Sequence, residues 1–217
     1  MTAMPRPAVT VHPTAKFWDR IAERYANQPV ADEAAYQEKL RITRDHLRPD
    51  MNLLEFGCGT GSTALAHASF VRHILATDIS AKMIDIAERK AQKAGAGNVA
   101  FRRIAVEDVQ APDGSYDAVL GLSILHLVRD RDAVIAQVFR MLKPGGVFVS
   151  STVCLGDSLA FFRYVGPIGR ILGLLPLLRV FTVHELESSL LGAGFEIAHQ
   201  WRLGPRKGVF IVARKPG

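Results

Sequence analysis

Glu55-Phe56-Gly57-Cys58-Gly59-Thr60-Gly61 and, farther along, Asp78 are the residues whose types and spacing point most directly to chemistry. Glycines at alternate positions let the main chain turn tightly and let a ligand approach backbone N–H groups closely. Such a loop suits a nucleotide-like molecule, although the glycines alone would equally serve an ordinary tight βα turn. The neighbours narrow the choice. A dinucleotide-binding turn wants a third glycine five residues after the first, and Ser62 stands there. Glu55 puts a carboxylate just ahead of the turn, where it would repel a pyrophosphate and attract a cation. Asp78, in Ala76-Thr77-Asp78-Ile79-Ser80, can accept hydrogen bonds from both hydroxyls of a ribose, while Ser80 is available to cap the next helix. A cationic, phosphate-free nucleoside satisfies both acids, and S-adenosylmethionine (SAM), which carries an ammonium and a sulfonium, is one.

Strands must deliver these residues and helices must receive them. Asn52 to Phe56 reads as a buried strand, the glycine turn follows, and Ser62 to Phe70 reads as a small-residue helix. The order repeats with a strand over Val71–Thr77, a helix over Ala81–Ala94 ended by Gly95, and a strand over Val99–Ala105. Asp113-Gly114 marks a turn before a fourth strand at Tyr116–Leu120. A helix over Arg131–Leu142 stops at Lys143-Pro144-Gly145-Gly146, and Val147–Ser150 is a fifth strand. The last block holds a helix from Val183 to Leu191 and two strands around Phe195–Ile197 and Val209–Val212. Helices between strands force parallel pairing, and the final hairpin adds an antiparallel edge. Ahead of the first strand, Thr14 can cap a helix carrying Phe17, Trp18, Ile21 and Tyr25, and a second amphipathic helix covers Asp32 to Leu47. The stretch 1–13 reads as disordered, 14–217 as one domain, 14–48 as a helical cap on it, and 155–181 as an apolar, lid-like insertion broken by glycine and proline.

The 217 residues suffice for a core without staples. Two cysteines and scattered histidines give no metal-ligand spacing, so no metal is expected. No apolar run is long enough to span a bilayer, and the N-terminal residues lack the apolar region of a secretory signal, which leads to the expectation of a cytoplasmic protein. The net charge of +6 favours anionic partners, but the basic residues are dispersed and no nucleic-acid signature accompanies them, so nucleic acid is not expected.

On these residues the chain resembles the class I SAM-dependent methyltransferases, in particular the small-molecule branch that includes ubiquinone and menaquinone C-methyltransferases. Leu53 to Gly61 is similar to that family's first motif, Asp78 to its ribose-binding acid, and Met83 to an apolar residue that lies against adenine. Pro112 to Val119, Leu142-Lys143-Pro144-Gly145-Gly146, Phe181 to Leu186 and Ala193-Gly194-Phe195 resemble its later segments in the family's order. One departure stands out: the family's adenine-contacting acid after the third strand is Ala105 here, so the main chain near Val106 and Glu107 is expected to recognise adenine, with Glu107 or Asp108 as substitutes for the acid. The resemblance implies a three-layer α/β sandwich with a seven-stranded, mostly parallel sheet. It implies a cofactor site formed by Tyr25, Glu55, Phe56, Gly57, Cys58, Gly59, Thr60, Gly61, Asp78, Ile79, Met83, Val106, Glu107, Leu122 and Ser123.

Methyl transfer from a sulfonium is an in-line displacement, so alignment and exclusion of water suffice and no signature side chain reveals the acceptor atom. Leu122, Ser123 and His126 follow the fourth strand and are expected near the sulfonium or the acceptor. His126 has two readings, a general base at neutral pH or a half-buried ring packed beside the cofactor. Trp18 and Tyr36 are candidates for enclosing the substrate, although core packing accounts for Trp18 equally well. The leucines and Arg163, Arg170 and Arg179 of the 155–181 insertion point to an apolar or lipid-like acceptor and a peripheral membrane contact, or else to a surface that packs on the domain or another subunit. Two rival functions are carried alongside: a nicotinamide-dependent oxidoreductase, and a SAM-binding protein without chemistry.

Overall fold

Alternation of β-branched runs with amphipathic stretches produces alternating strands and helices, and the glycine turn sits at the first junction between them. In a computed structural model, which describes residues 14–202, 204 and 208–217, the chain forms β1 (Asn52–Phe56), β2 (His73–Asp78), β3 (Val99–Arg103), β4 (Tyr116–Leu122), β5 (Leu142–Thr152), β6 (Glu196–Arg202) and β7 (Val209–Arg214). The stretch 1–13 lies outside the described residues. The helices are α1 (Ala15–Ala26), α2 (Glu33–Arg44), α3 (Ser62–His67), α4 (Ala81–Ala94), α5 (Arg131–Met141), α6 (Phe162–Ile171) and α7 (Val183–Gly192). The strands make one seven-stranded sheet in the order β3-β2-β1-β4-β5-β7-β6, with β7 antiparallel to both of its neighbours.

Strand β1 pairs in parallel with β2 on one side and β4 on the other. The chain leaves β1 in one direction to build β2 and β3 and later crosses to build β4, so the strand order reverses there and the carboxyl ends of β1 and β4 flank a crevice. The sheet is buried on both faces. Leu54, Phe56, Val119 and Phe148 pack under α5 and α7, whereas Leu53, Ile74, Leu120 and Val149 pack under α2, α3 and α4. Helix α1 is held to α4 by a small apolar contact of Ala22 with Met83 and Ile86, and by Asp19, which accepts hydrogen bonds from Ser80 Oγ at 2.6 Å and Lys82 N at 3.2 Å.

Two elements differ from the sequence reading. Lys143-Pro144-Gly145-Gly146 does not end the helix in a free turn, because β5 already begins at Leu142, which pairs with Tyr116. Lys143 Nζ donates to Asp117 Oδ1 at 2.7 Å and Gly145 N to Lys215 O at 2.9 Å, and the register slips between Tyr116 and Ala118, so the segment is a bulged start to the strand. The second difference is α6, a helix where glycine and proline suggested irregular chain. Proline crowds the Cβ of the residue before it, and Gly166, which precedes Pro167, has none.

Close packing at the switch point is testable at Gly121, where an added Cβ would overlap the Phe56 ring. Gly121→Val should destabilise the chain by about 1–3 kcal/mol, whereas Gly97→Ala, whose Cβ meets nothing within 4 Å, should stay within about 0.5 kcal/mol of wild type. Urea midpoints measure both.

Candidate functional site

The loop leaving β1 is pinned to the end of β2 by Cys58 N, which donates to Thr77 O at 2.9 Å, and closes with Gly61 N to Cys58 O at 3.0 Å. Its glycines serve different needs. A Cβ on Gly57 would press on Ile124 at 2.7 Å, and one on Gly61 on Ala87 and Phe101 at 2.8 Å, so these two positions are small because the protein packs against them. Gly59 adopts φ +53° and a Cβ there would meet only Tyr25 Cε1, at 3.8 Å. Its space is open, as a loop that lets a ligand reach the backbone requires.

The two acids lie at the ends of adjacent strands. Glu55 is 3% exposed, its Oε2 is buried without a hydrogen-bond partner, and burial together with the neighbouring Asp78 pushes its pKa from 4.5 to about 8. Asp78 Oδ2 accepts from Gly59 N at 2.9 Å and Oδ1 from Ser80 N at 2.9 Å. Burial raises the Asp78 pKa while these N–H groups oppose the rise. Helix capping does not fall to Asp78: Ser80 Oγ accepts from Met83 N at 3.1 Å. Tyr25, brought over from α1, has its phenol pKa raised by burial and by Asp78.

A cavity opens beside these groups. Its polar end is Gly57, Gly59 and Asp78; Ile79, Met83, Ile104, Val106 and Glu107 form one wall, and Thr14, Trp18 and Tyr25 reach it from the N-terminal helix. Leu122, Ser123, Ile124, Leu127, Val128, Pro176 and Leu177 complete the lining, with Ile124 against Gly57. Of the residues singled out from sequence, Trp18, Tyr25, Phe56, Gly57, Gly59, Asp78, Ile79, Met83, Val106, Glu107, Leu122 and Ser123 are brought together on this cavity. Glu55, Cys58, Thr60, Gly61, Tyr36 and His126 are not among its lining residues. Thr60 instead receives Lys90 Nζ at 3.0 Å, which braces the loop.

His126 is a buried ring that burial holds down to a pKa of about 4, and its Nδ1 has no hydrogen-bond partner. It is neutral at pH 7 and a weak base, and its main-chain oxygen accepts from Arg179 N at 2.8 Å. Neither nitrogen of its ring lines the cavity. Ile104, Ile124, Leu127, Val128, Pro176 and Leu177 were not singled out from the sequence; Ile124 to Val128 carried a signal, an apolar run directly after the fourth strand. Ser123 has φ 57°, the only non-glycine with positive φ among the described residues, and its N–H donates to Ser151 O at 2.6 Å. Holding a serine in this left-handed region costs of order 1 kcal/mol and is characteristic of functional sites.

These residues fit SAM. Glu55 Oε2 is an orphaned buried acceptor that a nearby cation would stabilise, Gly59 leaves room at the loop, and Asp78 is oriented by two N–H groups with lone pairs to spare. Residues 53–146 match a family model described as a methyltransferase domain. Together with the fold and the site, this match and the relatives that follow support a class I SAM-dependent methyltransferase. SAM is the cofactor of that family. An uncharacterized methyltransferase, YcgJ of Bacillus subtilis, is 30% identical over 128 residues, 59% of this chain and 50% of that protein. The demethylmenaquinone methyltransferase of Symbiobacterium thermophilum is 26% identical over 168 residues, 74% of this chain and 65% of that protein. The chain thus spans about half to two thirds of the length of these curated relatives. Among solved structures, the [4+2]-cyclase SpnF superposes with a TM-score of 0.78 at 21% identity, covering 97% of this chain and 99% of that one. That likeness speaks for the fold alone. The antiparallel β7 between β5 and β6 also departs from the dinucleotide-binding strand order, which counts against the nicotinamide alternative.

Two measurements test this methyltransferase site. If Asp78 accepts the ribose hydroxyls as expected from the sequence, Asp78→Ala should weaken SAM binding by about tenfold to a hundredfold in calorimetry. Glu55 binds a proton in the folded chain that the unfolded chain has released above pH 4.5, so its contribution to stability falls as pH rises from 4.5 to about 8. His67 and His126, both held down to about 4, act oppositely and gain stability between pH 4 and 6.5. The stability difference between Glu55→Gln and wild type cancels the histidines; in thermal melts without ligand it should grow in favour of the variant up to pH 8 and then level off.

Proposed function

We propose that this chain transfers the methyl group of SAM to a small, apolar, lipid-like acceptor. The observation that carries the proposal is the make-up of the cavity, whose lining joins Gly57, Gly59 and Asp78 to the apolar Leu122, Ile124, Leu127, Val128, Pro176 and Leu177. When bound, SAM supplies a methyl group activated by its sulfonium. Asp78 accepts the ribose hydroxyls, Met83 and Ile79 flank the adenine, and the main chain at Val106 and Glu107, with the Glu107 carboxylate in place of the absent acid at Ala105, meets its amino group. Glu55, from beneath the loop, gives up its proton when the cationic methionyl end arrives and then faces it with negative charge. The apolar lining excludes water from the acceptor and holds it in line, which is the main demand of a displacement with a good leaving group.

The name of the demethylmenaquinone methyltransferase suggests a reduced quinone ring as the first acceptor to try. A second reading, SAM binding without methyl transfer, draws on His126 being a weak base outside the cavity lining. Purified protein incubated with methyl-labelled SAM and a demethylated naphthoquinol should yield labelled organic-phase product and S-adenosylhomocysteine, with less turnover on a hydrophilic catechol. Tight SAM binding with no S-adenosylhomocysteine from quinol, phenol and lipid acceptors would favour the second reading.

A further inference from the structure

Helix α6 is built the wrong way round for a helix that belongs to a core. At about 100° per residue, Gly166 and Gly169 share one side, and Tyr164, Ile168 and Ile171 share the opposite side. On the glycine side Gly166 is buried, although a Cβ there would meet nothing within 4 Å, and a Cβ on Gly169 would meet Leu175, just past the helix, at 2.7 Å. The large apolar side faces out, with Tyr164 77%, Ile168 61%, Ile171 85%, Leu172 65% and Leu174 67% exposed. No residue of α6 joins any of the core clusters found among the described residues. So many neighbouring apolar side chains left in water mark an interaction surface and not a random assortment of exposed residues.

We infer that this face docks the protein on an anionic lipid bilayer. Charge identifies the occupant. Between Asp157 and Glu185 the chain carries Arg163, Arg170 and Arg179 and no acidic residue. Arg163 and Arg170 lie together on a flank of α6, and Arg20 of α1 joins them by donating to Gly173 O at 2.6 Å. Bulky apolar side chains with arginines beside them are the composition of a helix lying in the lipid headgroup layer, where the arginine stems follow the apolar surface and the guanidinium groups reach phosphates. A symmetric contact with a second copy would instead set these arginines against one another on a chain whose net charge is already +6. Ten residues of helix reach about 15 Å, half the thickness of a bilayer's hydrocarbon, and among the described residues no helix is long and apolar enough to cross a membrane. The helix lies on the surface. Leu174 at its end is exposed, while Pro176 and Leu177 immediately after it line the cavity, so a lipid-like acceptor has a continuous apolar route from bilayer to cavity. That route rests on the proposed function; the docking does not.

The test uses the full chain and sedimentation with vesicles of phosphatidylcholine, alone or mixed with phosphatidylglycerol. The wild type should partition onto the anionic vesicles and hardly onto the neutral ones. Each arginine near an anionic surface contributes about a fivefold preference, so Arg163→Ala with Arg170→Ala should weaken partitioning about thirtyfold. Ile168→Ser with Ile171→Ser should weaken it at least about tenfold without adding charge. Both double variants should bind SAM as tightly as wild type in calorimetry without vesicles, which reports that the domain is intact. Wild type that ignores both vesicles, or a serine variant that partitions like wild type, would overturn the inference. So would a wild-type dimer in sedimentation equilibrium that the serine variant dissociates, since the face would then belong to a second copy. Vesicle binding without SAM binding would sink the methyl-transfer proposal and leave the docking standing.

Discussion

Two carboxyl groups buried at the ends of neighbouring strands set the terms for everything around them. In water Glu55 and Asp78 would both be ionised; inside the protein burial makes both charges costly, Asp78 adds to the cost at Glu55, and Glu55 holds its proton to about pH 8. Asp78 has two backbone N–H partners, and Glu55 Oε2 has none. The ligand-free protein therefore carries unfavourable electrostatics that a cationic, phosphate-free nucleoside relieves and a pyrophosphate would aggravate. The cofactor preference of the site rests on this imbalance more than on the glycines beside it.

The rest of the fold fixes where that imbalance sits. Parallel pairing of β1 with β2 places Glu55 beside Ala76 and Phe56 beside Thr77, so Asp78 falls one step beyond the paired region, level with the glycine loop. The hydrogen bond from Gly59 N to Asp78 then ties the loop to the second strand. Helix α1 is held by polar contacts through Asp19 to the first turn of α4, the turn that Ser80 caps. The same few residues that orient the acid also fix the helix that brings Trp18 and Tyr25 to the cavity, so cofactor site and cap are mechanically joined.

What could be read from the sequence follows how local each signal is. Strands β1 to β4, the glycine loop and Asp78 were legible because pattern and function lie within a few residues of each other. The placement of His126 was not legible, because whether a residue after a strand faces a cavity depends on the backbone in between. Ser123, with φ 57°, redirects the chain there, and no residue-type preference announces a left-handed serine. The Lys143 to Gly146 stretch looked like a turn because proline and glycine usually make one; cross-sheet bonds from Asp117 and Lys215 draw it into β5 instead. Helix α6 was hidden for a related reason. Its glycines are helix breakers by propensity, yet Gly169 leaves the room that Leu175 takes as the chain folds back after the helix.

The two covers over the cavity are fastened differently, and this decides which one can give way. Helix α1 has buried apolar contacts with α4 as well as the Asp19 bonds. The 155–181 segment is clamped at its base, where Gly156 N donates to Phe181 O and Arg179 N to His126 O, and by Arg20 at Gly173 O, while α6 contributes nothing to the core clusters. Parts with few buried apolar contacts open at the lowest free-energy cost. Opening on this side exposes Leu122, Ile124 and Leu127 and leaves Asp78 and the glycine loop undisturbed, because their hydrogen bonds run to β2 and α4. Asp78 and the glycine loop thus belong to the firmly held part of the molecule and the 155–181 segment to the part that yields, so that, on the proposed function, an acceptor would enter past that segment without loosening the site that aligns the methyl donor.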